Sequence, residues 1–123
     1  MSRSAKELWR KENWMKRDWI EVYHNSNFIE YLFSEEFPKA NELTHVANVQ
    51  LEDKEYERAF ELTNHIDHAW QDNPQVEALT DSARSTSVGD VIRLKSGLWM
   101  VCRAVGWDVY PPELVEEYGL DKI

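Results

Sequence analysis

The sequence predicts an α+β fold in which a small antiparallel β-sheet packs against one helix. Two runs of β-forming residues predict a hairpin at about 86–106, because a short link containing Gly97 joins them. A further strand is predicted at about 43–51, where apolar and polar residues alternate. The next stretch, about 53–64, has apolar residues at the spacing of a buried helical face. Strand, acidic turn and helix in this order would fold the helix back over the sheet.

Residues 4–24 are predicted to form an N-terminal amphipathic helix. Ser4 and Glu7 have the spacing of a capping box, and the apolar side chains that follow fall largely on one helical face. We therefore interpret the chain as a single domain over its whole length. It would consist of a helical N-terminal segment at 1–42 and an α+β core at 43–123.

Shorter elements are assigned from turn residues and from single large side chains. Residues 28–33 are expected to form a short second helix, with a strand as the alternative, and the element ends before Pro38. Trp70 is expected to anchor an otherwise polar loop to the core, because an indole buries a large area at one point. Pro112 suits the first turn of a short helix that Gly119 ends.

The composition favours a protein of the cytoplasm. The lone Cys102 cannot form an intramolecular disulfide, which favours a reducing compartment. No apolar run approaches the ~18 residues that a membrane-spanning helix needs. The first residues also lack the apolar core of a secretory signal. We therefore expect a cytoplasmic location and no membrane association.

The net charge of −9 is unevenly distributed along the chain. Residues 1–20 carry six basic and three acidic side chains, so the rest of the chain has a net charge of −12. An acidic surface of this kind repels phosphate, which disfavours direct binding of nucleic acid. The same charge leaves an alternative function open, that of a DNA-mimicking antagonist of nucleic-acid-binding proteins.

A motif lies between Arg84 and Ile92, where the chain reads RSTSVGDVI, and it is followed by the predicted hairpin and by Gly106-Trp107. This arrangement resembles the R-S-x-S-V-x-D-V-[IV], hairpin, G-[FW] pattern of YodL-like domains in small proteins of phages, plasmids and other mobile elements. The resemblance extends over about residues 43–110. It implies a small accessory protein of phage or mobile-element type without an assigned activity.

The residues of this motif are expected first of all to have a structural role. The hydroxyl side chains after Arg84 can bond to nearby backbone amides. Asp90 can do likewise, or it can pair with Arg84 or Arg103. Gly89 allows another backbone segment to approach closely. The alternative is a surface on which a partner docks, made of four of these residues: Arg84, Ser85, Ser87 and Asp90.

Trp14 is predicted to lie opposite the apolar face of the first helix, next to Arg10 and Arg17. An exposed indole among charged residues is typical of a contact surface. A neighbouring segment, a second copy of the chain or a partner protein would cover it. We expect a homodimer formed through this helix, since two-fold interfaces are the commonest.

Patterns that indicate catalysis are weak. His65 and His68, at positions i and i+3, are the best candidate metal ligands and His45 could join them, but no cysteine pair accompanies them. Cys102 is expected to behave as a small apolar core residue. We therefore predict no catalytic residue, no cofactor and no metal site. The protein is expected to act by binding another protein, with a metal-dependent enzyme as the remaining alternative.

Overall fold

The computed structural model describes residues 19–64, 69–81 and 83–123. Its strands are β1 (Ile20–Asn25), β2 (Leu43–Val49), β3 (Val76–Ala78), β4 (Val91–Arg93), β5 (Trp99–Cys102) and β6 (Trp107–Val109). In this part of the chain the six strands pair antiparallel in one sheet, in the order β3-β2-β1-β4-β5-β6. The α-helices are α1 (Tyr56–Leu62) and α2 (Pro112–Glu117), and short 3-10 helices lie at Phe28–Tyr31, Ala40–Glu42, Asp53–Glu55, Trp70–Asp72 and Leu120–Lys122. No helix among these residues is long and apolar enough to cross a membrane.

The sheet is covered on both faces. On one face, α1 and the loop around Trp70 pack against apolar side chains that include Ile20, Val22, Val49, Ile92 and Met100. On the other face, α2 and the residues that precede β2 cover Tyr23, Val91, Trp99, Val101 and Tyr110. Each apolar face of the sheet is thus removed from water, and this burial is the main favourable term in folding.

The prediction of a helix at 4–24 is wrong over residues 20–24, which belong to β1. This strand lies in the interior of the sheet between β2 and β4, and most of its side chains are buried. A strand covered on both faces shows no alternation of apolar and polar residues, so its sequence resembles that of a helix. A shift in register between Val22 and Tyr23 also disturbs the two-residue period. The sheet therefore includes part of the segment 1–42 that was predicted to be helical, and residues 1–18 lie outside the described residues.

Several other predicted elements are confirmed, with shorter bounds. The strand predicted at 43–51 is β2, and the helix predicted at 53–64 is a 3-10 turn that continues into α1. Trp70 is fully buried, and α2 begins at Pro112 as predicted. The segment 28–33 contains a single 3-10 turn.

The predicted hairpin at 86–106 is formed by β4 and β5, and both strands are shorter than expected. Residues 86–90 turn into β4 and do not extend it. β3 and β6 were not predicted as strands, and they form the two edges of the sheet. The architecture is thus a six-stranded antiparallel sheet with short helices on both faces.

Gly89 is held against the 3-10 helix at Phe28–Tyr31. Its φ is +92°, and a Cβ at this position would lie 3.0 Å from the carbonyl oxygen of Phe28 and 3.0 Å from Cβ of Tyr31. Gly97 has a similar φ of +95°, but a Cβ there would meet no atom within 4 Å. Alanine substitutions at the two glycines therefore distinguish two contributions to the loss of stability: the strained backbone conformation, which both share, and the steric overlap, which only Gly89 has.

Replacing Gly89 by alanine should destabilise the protein by about 2 kcal/mol or more, because conformational strain and overlap act together. Gly97→Ala is the matched control and should cost about 1 kcal/mol, from conformation alone. Urea unfolding of both variants measures the difference. Equal losses in the two variants would contradict a close contact at Gly89.

Candidate functional site

Arg84 and Asp90, the two ends of the motif, form a bidentate ion pair. Arg84 Nη1 lies 2.6 Å from Asp90 Oδ2, and Nη2 lies 2.8 Å from Oδ1. The side chain of Asp90 is fully buried, whereas that of Arg84 is 32% exposed. Two parallel charge-assisted hydrogen bonds are the strongest arrangement that these two groups can make.

The carboxylate of Asp90 also accepts two backbone hydrogen bonds. The N–H of Asn25, at the end of β1, donates to Oδ1 at 2.8 Å, and the N–H of Ser87 donates to Oδ2 at 2.7 Å. With the two bonds from Arg84, each oxygen accepts two, which is about the capacity of a carboxylate. Asp90 therefore has no lone pair left for a substrate or a metal ion.

Arg84 extends this network to neighbouring backbone groups. It donates to the carbonyl oxygens of Ser85 and Asn25, each at 3.0 Å, and its guanidinium carbon lies 3.8 Å from the centre of the Phe28 ring. The structure thus brings Arg84, Ser85, Ser87 and Asp90 into contact with one another. In these contacts Ser85 contributes its carbonyl group and Ser87 its N–H.

Asn25 is a member of this network that the sequence did not reveal. Its side chain is fully buried, donates to the carbonyl oxygen of Gly89 at 3.1 Å and accepts from the N–H of Asn27 at 2.8 Å. Asn25 directly follows the helix predicted at 4–24 and was given no role in the sequence analysis. Nothing within the local sequence indicates a partner 65 positions away at Asp90.

A second buried chain of hydrogen bonds begins at His24. The hydroxyl of Thr63 donates to the carbonyl oxygen of Ala59 at 2.6 Å, and the hydroxyl of Thr86 donates to Thr63 Oγ1 at 2.6 Å. Because Thr86 has used its only proton, it must accept from Nε2 of His24, which lies 3.0 Å away. The direction of this chain therefore places a proton on Nε2.

His24 is neutral at pH 7. Burial lowers its pKa to about 4; Asp90 acts in the opposite sense and Arg84 lowers the pKa further. The imidazole also meets the ring of Trp70 edge-on, with centroids 6.2 Å apart. An apolar wall and a neutral hydrogen-bond partner both favour the uncharged ring.

The set Thr86, His24 and Asp90 has the residue types of a catalytic triad but not its geometry. In a triad, the acid and the nucleophile bond to opposite nitrogens of the imidazole. Here both neighbours face Nε2, with Asp90 Oδ2 at 3.9 Å and Thr86 Oγ1 at 3.0 Å. Thr86 is also buried and its proton is committed to Thr63. The arrangement stabilises the fold and does not activate a nucleophile.

The other residues considered for chemistry are dispersed. His45 stacks on Tyr23 with centroids 4.6 Å apart and bonds to Asn48 at 2.7 Å. Burial raises the pKa of Cys102 to about 11, so this residue is a thiol within the core, as predicted. Among the described residues, no group of three or more His, Cys, Asp or Glu side chains could hold a metal ion.

Five predicted site residues lie outside the described residues. They are Arg10, Trp14 and Arg17 of the predicted contact surface, and His65 and His68, the weak metal candidates. Their predicted roles stay predictions.

A depression of about 670 Å³ lies between the 3-10 helix at Phe28–Tyr31 and α2. At its wall, Glu42 accepts hydrogen bonds from Tyr31 Oη at 2.9 Å, from Asn27 Nδ2 at 2.9 Å and from the N–H of Lys39 at 3.0 Å. Burial raises the pKa of Glu42, but these bonds outweigh it and lower the pKa overall. The carboxylate thus holds the wall together and is largely occupied.

Comparison of the chain with protein-family models, with curated proteins and with solved structures finds no match. The similarity of the motif to YodL-like domains therefore stays a prediction.

Replacing Asp90 by asparagine should destabilise the protein by about 3–5 kcal/mol, because the amide nitrogen would face a donor of Arg84 together with the N–H of Asn25 or Ser87, and the Arg84 cation would lose its counter-charge. Glu55→Gln is the control. It breaks an ion pair with Arg58 whose side chains are 35% and 48% exposed, and it should cost less than about 1 kcal/mol. Urea unfolding at pH 7 compares them; similar losses would contradict the structural role of Asp90.

The low pKa of His24 predicts a loss of stability in acid. The unfolded chain binds a proton near pH 6.5 and the folded chain only near pH 4, so stability falls as the pH drops through this interval and then levels off. The loss should be about 3 kcal/mol.

His24→Gln removes the titrating group while other carboxylates still titrate in both proteins. The free energy of unfolding of wild type, minus that of the variant, should therefore decrease between pH 6.5 and pH 4. A difference that does not change with pH would show that His24 titrates normally.

Proposed function

We propose that this protein is a non-catalytic binding protein whose partner is another protein, as the resemblance to YodL-like proteins of phages and mobile elements implies. The observation that carries this proposal is a pair of large apolar side chains at the surface. Phe33 is 94% exposed and Val105 is 92% exposed. Large apolar side chains that are exposed at the surface are typical of sites where proteins associate.

Arg103 brings the segments that carry these two residues to one region. Its Nη1 donates to the carbonyl oxygen of Ser34 at 3.1 Å, and its Nη2 donates to that of Glu35 at 2.8 Å. Ser34 follows Phe33 directly, and Arg103 precedes Val105 by two residues. We refer to Phe33 and Val105 as the Phe33–Val105 patch.

Arg103, which joins the two segments of the patch, is itself fixed by contacts with neighbouring residues. Arg103 Nε bonds to Asp108 of β6 at 2.7 Å, and its guanidinium lies 5.0 Å from the centre of the Phe37 ring. The Arg103 side chain is only 9% exposed, so its contacts are shielded from solvent. A preorganised apolar surface loses less conformational entropy when it binds.

The buried network around Asp90 bears on where a partner would bind. Its polar groups are directed at one another, and this favours the structural interpretation of the motif over a docking surface made of Arg84, Ser85, Ser87 and Asp90. The homodimer through the first helix, the DNA-mimicking function and the metal-dependent enzyme stay predictions.

Binding to a partner captured from host lysate and then purified tests this proposal. The double variant Phe33→Ser/Val105→Ser should weaken binding about tenfold, because truncating interface anchors commonly costs more than 1 kcal/mol. The control is Leu79→Ser/Leu98→Ser, at side chains that are 47% and 43% exposed in other loops, and it should bind like wild type.

A further variant, Trp14→Ala, tests the predicted contact surface of the first helix in the same binding measurement. Unchanged affinity in the Phe33–Val105 double variant would overturn the assignment of the patch. Equal unfolding midpoints of the variants would show that the surface, and not the fold, was altered.

A further inference from the structure

We propose that the open edge of β6 binds an extended segment of another protein that carries a basic residue between two apolar residues. The inference rests on the proposed function, because it names the class of partner. An extended segment added to a sheet edge gains affinity from backbone hydrogen bonds and specificity from alternate side chains.

The register between β5 and β6 shows which backbone groups of β6 face outward. The N–H of Tyr110 bonds to the carbonyl oxygen of Trp99, and the N–H of Arg103 bonds to that of Gly106. Hydrogen-bonded and non-hydrogen-bonded pairs alternate along an antiparallel ladder. The backbone N–H and C=O groups of Asp108 therefore face β5, and those of its two neighbours face away. The N–H and C=O groups of Trp107 and Val109 therefore point away from the sheet.

These outward groups have no hydrogen-bond partner among the described residues. The opposite edge of the sheet, β3, is less open. There the N–H of Val76, one of the outward backbone groups, already bonds to the carbonyl oxygen of Asn73 at 3.0 Å. β6 is thus the better acceptor of a further strand.

The side chains at this edge define the chemistry of the occupant. Asp108 is 51% exposed at the centre of β6, and one of its oxygens bonds to Arg103. Val109 is 46% exposed, and the Phe33–Val105 patch lies beyond the turn. A strand paired with β6 would place one of its residues opposite Asp108. The residues on either side of that one would lie against the side chains of Trp107 and Val109. A basic residue flanked by apolar residues fits this pattern.

Charge disfavours a second copy of the chain at this edge. A two-fold pairing of β6 with itself that uses all outward groups would set Trp107 opposite Val109 of the copy. It would also set Asp108 opposite Asp108, and like charges in that position are destabilising. An acidic residue on a short edge strand is a common barrier to self-pairing. The charge of Asp108 therefore favours a basic segment as the occupant and disfavours β6 of a copy.

Two synthetic nine-residue peptides test the proposal. Both alternate valine and threonine, and they differ only in a central lysine or glutamate placed between valines. Amide exchange and NMR titration of the full chain should show protection of Trp107 and Val109 by the lysine peptide, with binding about fivefold tighter than that of the glutamate peptide. In Asp108→Asn this preference should disappear.

Val109→Pro removes one outward N–H and leaves the bonds to β5 in place, so it should weaken binding of the lysine peptide about tenfold. Ala78→Pro is the matched control, because the register of β3 also directs the N–H of Ala78 outward. It should bind the peptide like wild type. No protection by either peptide, or equal loss in both proline variants, would overturn the proposal.

Other occupants would give different results, each of which also overturns it. Without peptide, the amides of Trp107 and Val109 could already be protected from exchange. Protection that increases with protein concentration would indicate a second copy, and protection that is independent of concentration would indicate another segment of the same chain. If a captured partner is lost with the Phe33–Val105 double variant but retained by Val109→Pro, the edge inference fails and the proposed function stands.

Discussion

The buried carboxylate of Asp90 holds three separate parts of the chain in place. A charge without solvent is costly unless hydrogen bonds replace the lost water, and here four do so. Two of the donors are backbone N–H groups, at Asn25 and Ser87. Satisfying one carboxylate therefore fixes the end of β1, the turn before β4 and the side chain of Arg84 relative to one another. Gly89 completes the arrangement, because it allows the turn to contact the 3-10 helix at Phe28–Tyr31.

This polar interior and the apolar surface have complementary roles. The Arg84–Asp90 pair and the chain from His24 to Ala59 direct their polar groups inward, where they specify how strands and helix meet. Nearer the surface, Arg103 likewise connects separate segments, because it joins the loop after Phe33 to β6. The proposed binding surface is therefore built on elements that the buried network positions.

The sequence predicted local relationships well and distant ones poorly. β2 and α1 were predicted, and pairing with Arg84 was one of the roles considered for Asp90, because these signals lie within a few residues of one another. β1 was mistaken for a helix, since burial on both faces removes the two-residue alternation that identifies a strand. The edge strands β3 and β6 are three residues long and too short to show a period. The buried hydrogen bonds of Asn25 and His24 were missed because their partners, Asp90 and Thr86, are distant in sequence.

Amide hydrogen exchange at Asn25 and Ser87 measures whether Asp90 holds these segments together, since both N–H groups donate to its carboxylate. If this contact holds β1 and the turn together, the two amides should exchange only on global unfolding, with the same free energy as the amides of the β1–β4 ladder. Exchange through a local opening, well below the free energy of global unfolding, would contradict the account.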